Sequence, residues 1–346
     1  MVCYNHQQNL QIFYNMKTIN FLSTIFAMLF FFSCPFITLA QVKDRNSSPI
    51  LIPDAKLEVL FDGGFFTEGP AMGPDGFVYF SDITFTKNSG MQAGHIWKYD
   101  PKTKNTSLFR SPSGMSNGII FDLEGNMILA LGADFGGRSV IRTNMKTGKS
   151  EIIAGTFNGK SLNAPNDLVI DKSGRIYFTD PRYAGHEPME QPVMGVYRID
   201  LDGTLKRIID QAGTPNGILI SPDQKTLYVA SINFPVWAKL NAVLKFDLDS
   251  EGNASNETIL IDFKGEYGPD GMAMDLDGNL YLARPGETPG IYIHSPKGVQ
   301  LGYISTPEGP TNVTFGHGET ENTLFITAGK SLYSIHVNAT GFFASK

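Results

Sequence analysis

The chain has 346 residues, with 34 acidic and 28 basic side chains, and a formal net charge of −6 at pH 7. A mildly acidic chain does not attract nucleic acids or anionic membranes, so neither is expected as a partner. The two cysteines, Cys3 and Cys34, both lie near the N-terminus. We therefore expect no disulfide framework and no thiolate metal site in the folded part.

The N-terminal segment has the pattern of an export signal. Lys17 follows Met16, a second methionine at which translation could start, and an apolar run then leads to small residues ending at Ala40. This pattern predicts a signal peptide over 1–40, cleaved after Ala40, and a linker over 41–54. The mature protein is then secreted or periplasmic. The alternative is an uncleaved transmembrane anchor, because the apolar run is nearly long enough to cross a bilayer.

A short pattern recurs six times after the linker. Each copy starts with a polar residue, often followed by glycine, and continues through a few apolar residues and an Asp/Gly turn to an apolar-aromatic strand. The spacings between the leading residues are 49, 49, 50, 54 and 42. The six leading residues are Glu68, Asn117, Asn166, Asn216, Asp270 and Asn312.

Each copy predicts a β-hairpin, because short apolar runs flank turns such as Asp277-Gly278. A second alternating pair follows, as in 195–200 and 205–209. Four strands in about fifty residues form one blade of a β-propeller. The sequence therefore predicts an all-β, six-bladed β-propeller over residues 55–346, with an open β-solenoid as the alternative.

The two ends of the repeat region predict how the ring closes. The sixth unit ends with a third strand, 331–336, and has no fourth. An orphan strand, 56–61, precedes the first unit. We expect this N-terminal strand to complete the last blade, because closure protects strand edges that would otherwise pair with other chains.

The leading residues should lie on one rim around the propeller axis, because they start equivalent strands. All six carry a side-chain oxygen and none carries a positive charge. Converging carboxylate and amide oxygens favour one divalent cation, with Ca²⁺ ahead of Mg²⁺ and Mn²⁺ because it accepts six to eight oxygens at flexible angles. Zn²⁺ is a weaker candidate because it prefers His and Cys. The alternative reading is that Asn-Gly and Asp-Gly are simply turn formers.

The second strand of each hairpin returns to the same rim. It ends at Asp82, Asp180 and Ser231 in three of the units. Such residues hold metal ligands in place or accept protons in some sites. An equally good interpretation is that a strand-end aspartate caps a loop.

Several of these motifs together resemble the senescence marker protein, gluconolactonase and luciferin-regenerating-enzyme family, and most closely its secreted bacterial gluconolactonase type. The segments that carry the resemblance are Glu68-Gly69-Pro70, Asn163-Ala164-Pro165-Asn166-Asp167, Tyr177-Phe178-Thr179-Asp180-Pro181, Pro215-Asn216-Gly217 and Pro269-Asp270-Gly271. The resemblance implies a six-bladed propeller that hydrolyses lactones with a divalent metal.

The resemblance also implies roles for individual residues. Glu68, Asn216 and Asp270 would hold the metal, with Asn166 nearby. Asp270 would be the catalytic base or nucleophile. Asn117 is left to face the substrate, and Asn312 to support the ligands.

Two loops, 133–138 and 181–186, are expected to face the substrate by the same resemblance. Arg138, Arg182, Tyr183 and His186 are therefore candidates for binding hydroxyls or a carboxylate. The first loop lacks the histidine expected before its glycines, which leaves the identity of the substrate open.

Two alternative functions remain at this stage. One is a metal-dependent phosphotriesterase of similar fold, and the other is a non-catalytic ligand-binding propeller with a structural Ca²⁺. In either case the expected partner is a small molecule, and the protein is expected to be a monomer or a weak oligomer.

Overall fold

A computed structural model of the chain describes residues 49–86, 90, 94–232 and 240–344. The predicted signal peptide and residues 41–48 of the predicted linker lie outside the described residues. The chain separates into two units, Met1–Val42 and Lys43–Lys346, and only the second is described below. No helix in the described ranges is long and apolar enough to cross a membrane.

The described residues form six four-stranded antiparallel sheets, which are the blades. The N-terminal strand is β1 (Glu58–Phe61). Blade 1 contains β2 (Thr67–Met72), β3 (Val78–Asp82), β4 (His95–Asp100) and β5 (Asn105–Arg110). Blade 2 contains β6 (Ser116–Phe121), β7 (Met127–Leu131), β8 (Ser139–Thr143) and β9 (Ser150–Ala154). A small hairpin follows, β10 (Thr156–Phe157) and β11 (Lys160–Ser161).

The remaining blades repeat this order. Blade 3 contains β12 (Leu168–Ile170), β13 (Ile176–Asp180), β14 (Gly195–Ile199) and β15 (Leu205–Ile209). Blade 4 contains β16 (Thr214–Ile220), β17 (Thr226–Ile232), β18 (Ala242–Leu248) and β19 (Ala254–Asp262). Blade 5 contains β20 (Met272–Met274), β21 (Leu280–Arg284), β22 (Gly290–His294) and β23 (Gln300–Ser305). Blade 6 contains β24 (Pro310–Phe315), a 3₁₀ helix at Gly318–Thr320, β25 (Thr323–Ala328) and β26 (Ser331–His336).

Blade 6 takes its outer strand from the N-terminus, as the sequence predicts. β1 pairs with β26, and Glu58 lies opposite Ser334. An isolated bridge joins Leu51 to Val337, so pairing begins inside the segment predicted as a linker. The all-β, six-bladed prediction is confirmed, and so is closure of the last blade by the N-terminal strand.

Each interface between neighbouring blades has its own apolar cluster. Tyr79 packs with Leu129 between blades 1 and 2. At the point of closure, Phe80 of blade 1 packs with Phe325 and Leu332 of blade 6. Full burial of such side chains stabilises a fold by about 1.5–3 kcal/mol each. The closing interface is therefore built in the same way as the internal ones.

The turns between the first two strands of several blades share one design. The Asp275 carboxylate accepts N–H groups from Asp277 at 3.0 Å and Asn279 at 2.8 Å, and Asp122 makes the equivalent bonds in blade 2. Gly278 adopts a φ of 79°, which disfavours side chains. These turns keep successive hairpins in register, so the leading residues begin at the same height.

Candidate active site

The innermost strand of each blade departs from regular pairing where the leading residue stands. The register shifts between Glu68 and Ala71 in β2, and comparable shifts interrupt β6, β16 and β24. In blades 3 and 5 the strand begins two residues after the leading residue. A bulge removes a residue from the ladder and re-aims its side chain. The leading side chains thereby leave the regular alternation of the sheet.

The glycine after several leading residues lets the innermost strands approach each other. A Cβ on Gly69 would fall 2.1 Å from the Asn117 carbonyl oxygen, and one on Gly271 would fall 2.0 Å from Asn312 Cγ. The Gly217 N–H also donates to a carbonyl of the next blade. Because no Cβ intervenes, the six leading residues crowd around one axis.

Five of the six leading residues line one pocket of about 240 Å³, here called the upper pocket. Their side chains form its floor, which consists of Glu68, Asn117, Asn166, Asn216 and Asp270. The structure therefore brings together the four predicted metal ligands and Asn117. Tyr183, a predicted substrate-binding residue, also lines the upper pocket.

Asn312, the sixth leading residue, lies on the other side of the floor. It lines a second cavity of about 590 Å³, here called the lower cavity, together with Asp167. The Asn312 side chain lies close enough to the Glu68 and Asp167 carboxylates to oppose the rise in pKa that burial causes in both. This position suits the predicted supporting role of Asn312, because it holds a floor carboxylate from below.

Three carboxylates are concentrated at the floor. Burial raises the pKa of Glu68 well above its usual value, and the nearby charge of Asp270 raises it further. Burial raises the pKa of Asp270 to about 7, although a hydrogen bond from the Asn216 side chain opposes the shift. Burial also raises the pKa of Asp167 to about 7. Such shifts mean that the ionised forms lack a compensating positive charge.

No arginine or lysine of the described ranges makes an ion pair with these three carboxylates. Glu68 is only 3% exposed, whereas Asp270 keeps partial exposure to the upper pocket. A buried carboxylate without a cation is costly. The floor is therefore suited to a positively charged ligand.

The donor set fits a hard divalent cation. Two carboxylates and three amides can supply oxygens without any nitrogen or sulfur ligand, which favours Ca²⁺ over Zn²⁺. Within the part of the chain that the structure describes, no cluster of three or more His, Cys, Asp or Glu could hold a metal by itself. The asparagines would therefore have to complete the coordination.

Asp82 and Asp180 hold the backbone just before two leading residues. Asp82 accepts N–H groups from Phe65 at 2.8 Å and Phe66 at 3.0 Å, ahead of Glu68. Asp180 accepts N–H groups three and two residues before Asn166, at 2.9 and 2.8 Å. Both carboxylates therefore cap a loop, and through that loop they position a predicted metal ligand.

Arg138 and Arg182 direct their donors to main-chain carbonyls. Arg138 Nε donates to Asn163 O at 3.1 Å and to Leu162 O at 2.9 Å. Arg182 donates to Asn163 O at 2.8 Å and to Glu187 O at 2.6 Å. Neither arginine lines the upper pocket. The structure thus gives them a loop-holding role that differs from the substrate contact inferred from sequence.

His186 also lies outside the lining of the upper pocket. Its Nδ1 is 3.6 Å from Asp134 Oδ1, and its ring meets Phe135 edge-on at 4.1 Å. Tyr183, three residues earlier, lines the upper pocket, and its hydroxyl donates to Thr214 O and Pro215 O, each at 3.4 Å, just before Asn216. Burial raises the pKa of Tyr183 well above its usual value, so its hydroxyl stays protonated and able to donate.

Asp167 is the polar residue of this region that the sequence reasoning did not single out. It occupies the position that glycine takes in blades 1, 2, 4 and 5. Its Oδ1 accepts the Leu168 N–H at 2.9 Å, and it is 8% exposed. Its departure from the glycine of the other units was the signal that could have revealed it.

The fold and the floor define a class of protein: a six-bladed propeller with an oxygen-rich site across its axis. The family described as SGL: SMP-30/Gluconolactonase/LRE-like region matches residues 66–330. The chain belongs to this family, which agrees with the resemblance seen in the sequence.

Named relatives agree with this assignment. The chain is 32% identical to a gluconolactonase of Zymomonas mobilis in an alignment of 321 residues, which covers 84% of this chain and 84% of that one. It is 29% identical to lactonase drp35 of Staphylococcus epidermidis in an alignment of 254 residues, which covers 71% of this chain and 71% of that one. A solved gluconolactonase structure from Xanthomonas campestris superposes with a TM-score of 0.70 at 26% identity, covering 82% of this chain and 90% of that one. The chain is accordingly an enzyme of the lactonase type.

Proposed function

We propose that the chain is a divalent-metal-dependent lactonase that opens the ring of its substrate on the floor of the upper pocket. The observation that carries the proposal is the set of buried carboxylates, Glu68 and Asp270 above and Asp167 below, with which no cationic side chain of the described ranges forms an ion pair. The residues that would hold the cation are Glu68, Asn166, Asn216 and Asp270. Ca²⁺ is the favoured ion.

A bound divalent cation supplies Lewis acidity that polarises a carbonyl. The chain itself supplies orientation and proton transfer. Asp270 is the more exposed of the two carboxylates that line the upper pocket, so it can accept a proton from water or attack the carbonyl directly. Tyr183 and Asn117 lie beside it and can orient the lactone by hydrogen bonds.

The bond changes balance without any further reactant. In the water route, an O–H bond of water breaks and its proton passes to Asp270, while the water oxygen bonds to the lactone carbonyl carbon. The ring C–O bond then breaks, and the proton returns to the departing alkoxide. The product is an open-chain hydroxy acid.

The test combines metal removal with a substrate panel. Protein treated with EDTA and desalted is assayed by pH-stat on lactones, starting with glucono-δ-lactone because of the gluconolactonase relatives, and its residual metal is measured by mass spectrometry. We expect activity to disappear and to return with Ca²⁺, Mg²⁺, Mn²⁺ or Zn²⁺ in a measurable order. Full activity in demonstrably metal-free protein would refute the proposal.

Organophosphate esters in the same panel distinguish a phosphotriesterase from a lactonase. Thermal stabilisation by a lactone without product formation would instead indicate a binding protein.

A further inference from the structure

The wall of the upper pocket differs sharply from its floor. Above the floor, the described side chains that line the space are hydrocarbon or aromatic and come from blades 1 to 5. The largest are Phe66, Ile83, Phe85, Met115, Ile232 and Tyr267. Phe66 and Phe85 pack edge-on with ring centroids 5.5 Å apart. Tyr267 is 55% exposed, so the apolar wall extends to the rim.

Among the lining residues that the structure describes, polar side chains are confined to the floor and two tyrosines. Among the described residues that line the upper pocket there is no Lys, Arg, His, Ser, Thr or Gln. Arg138 and Arg182, the two arginines that the sequence predicted to bind substrate, donate to main-chain carbonyls instead. The part of the wall that the structure describes therefore offers a substrate few hydrogen bonds away from the floor.

This division has a direct consequence for ring substituents. A buried hydroxyl without a partner weakens binding by about tenfold or more. A buried methylene strengthens it by about fourfold. A polyhydroxylated ring would press several hydroxyls against the wall, whereas a hydrocarbon substituent would fill it.

We infer that the upper pocket selects lactones whose ring carries a short hydrocarbon substituent, in preference to polyhydroxylated sugar lactones. This inference rests on the proposed lactonase function of the same site. The volume of about 240 Å³ limits the substituent to a short chain. We expect Phe85 and Tyr267 to contact this substituent and so to determine the preference.

The experiment compares metal-loaded protein on δ-valerolactone, on its 5-methyl, 5-propyl and 5-pentyl derivatives, and on glucono-δ-lactone. Each kcat/KM is divided by the spontaneous hydrolysis rate, because the lactones differ in intrinsic reactivity. We expect a rise of about fourfold per methylene until the pocket is full, with glucono-δ-lactone below δ-valerolactone. A higher normalised value for glucono-δ-lactone than for every alkyl lactone would overturn the inference and leave the proposed function intact. Failure to hydrolyse any lactone would defeat the proposed function itself.

Variants of the wall test which residues carry the preference. Phe85→Ser and Tyr267→Ser should each lower the ratio of 5-pentyl to unsubstituted kcat/KM by about tenfold. The matched control is Phe135→Ser, because Phe135 is an exposed phenylalanine outside the lining of the upper pocket, and its ratio should not change. Tyr267 is largely exposed, so its replacement should preserve folding even if the Phe85 variant is unstable. An unchanged ratio in folded Tyr267→Ser and Phe85→Ser proteins would show that the wall does not select the substituent.

Discussion

The central channel contains two spaces that differ in size and in chemistry. The lower cavity, about 590 Å³, is more than twice the volume of the upper pocket. It is lined by the regular parts of the innermost strands, including Ile119, Ile218 and Met272, and by Phe342 and Phe343 of the C-terminal tail. The upper pocket is smaller, yet four predicted metal ligands meet there.

The difference shows that backbone irregularity, rather than cavity volume, decides where chemistry is placed. Where β16 pairs regularly, Ile218 and Ile220 are buried apolar residues. At the bulge just before them, Asn216 leaves the ladder and reaches the floor. The same strand therefore contributes apolar side chains to the lower cavity and a polar side chain to the upper pocket, and the bulge lies between the two parts.

The largest expected effect is the difference in kcat/KM between a variant of the upper pocket and a variant of the lower cavity. Asp270→Asn should lower kcat/KM by about 10³-fold or more, because it removes the candidate base or nucleophile, while metal binding persists in part. Phe343→Ala in the wall of the lower cavity should leave kcat/KM within about twofold. Calorimetric metal titration and lactone kinetics check both. Equal losses in the two variants would mean that the lower cavity also takes part in turnover.

A second prediction concerns the close approach that holds the floor together. Gly271→Ala should destabilise the protein by about 2 kcal/mol and reduce metal affinity, because its Cβ would fall 2.0 Å from Asn312 Cγ. Gly155→Ala is the control, since its nearest contact would be Ile152 Cγ2 at 3.3 Å. Urea unfolding and metal titration measure both effects. A Gly271→Ala protein as stable as the Gly155→Ala protein would argue against crowding at the floor.

A third prediction uses pH to examine the carboxylate beneath the floor. Burial raises the pKa of Asp167 from 3.8 to about 7, so the folded state holds this proton more tightly than the unfolded state. Its contribution to stability is present below about pH 4 and is lost as pH rises to about 7, by at most about 1.4 kcal/mol per pH unit. In metal-free protein, Asp167→Asn should therefore be more stable than wild type at pH 8, and the advantage should shrink toward pH 4.

The control for this measurement is Asp200, whose contribution to stability changes with pH in the opposite direction. Hydrogen bonds from Arg198 lower the pKa of Asp200, so its contribution is present above about pH 4 and is lost on acidification. Urea unfolding of wild type, Asp167→Asn and Asp200→Asn at several pH values gives the two slopes. Parallel slopes for the two variants would contradict the burial of an unbalanced Asp167.

The smallest expected effect tests the loop that borders the upper pocket. Arg182→Met should raise KM about threefold for every lactone alike and should lower stability by about 1 kcal/mol, because its bonds go to main-chain carbonyls. Arg142→Met, which removes a partly exposed ion pair with Asp122, is the control and should leave KM unchanged. A loss specific to one substrate would restore the direct substrate contact inferred from the sequence.

The sequence was informative about the ring because the ring is periodic. Six copies in register were enough to predict the blades, their closure by 56–61 and an oxygen-bearing floor. Periodicity gives the height of a residue but not the side of the floor on which its side chain lies, so only the family resemblance, and not the repeat itself, separated Asn312 from Asn216. The sequence shows the glycine at position 271, but only the three-dimensional structure shows that its missing Cβ makes room for Asn312.

The loops were less predictable for a different reason. Whether Arg138 turns toward substrate or toward Asn163 O depends on which carbonyls lie unpaired nearby, and those belong to distant segments. The apolar wall was missed because Phe66 and Tyr267 are about 200 residues apart and line the same pocket only once the ring has formed. Local patterns carry no record of such neighbours.

The pairing of β1 with β26 also means that the last blade can close only after most of the chain has been synthesised. Glu58 cannot pair until Ser334, its partner in the last blade, has been made. At roughly 5–20 residues per second, a ribosome needs on the order of 15–60 s to make the intervening chain. During that interval the ring is open, and the strand edges at its two ends are unpaired and can pair with other chains. Lys56 and Glu58, charged residues on the waiting strand segment, are well placed to discourage premature partners.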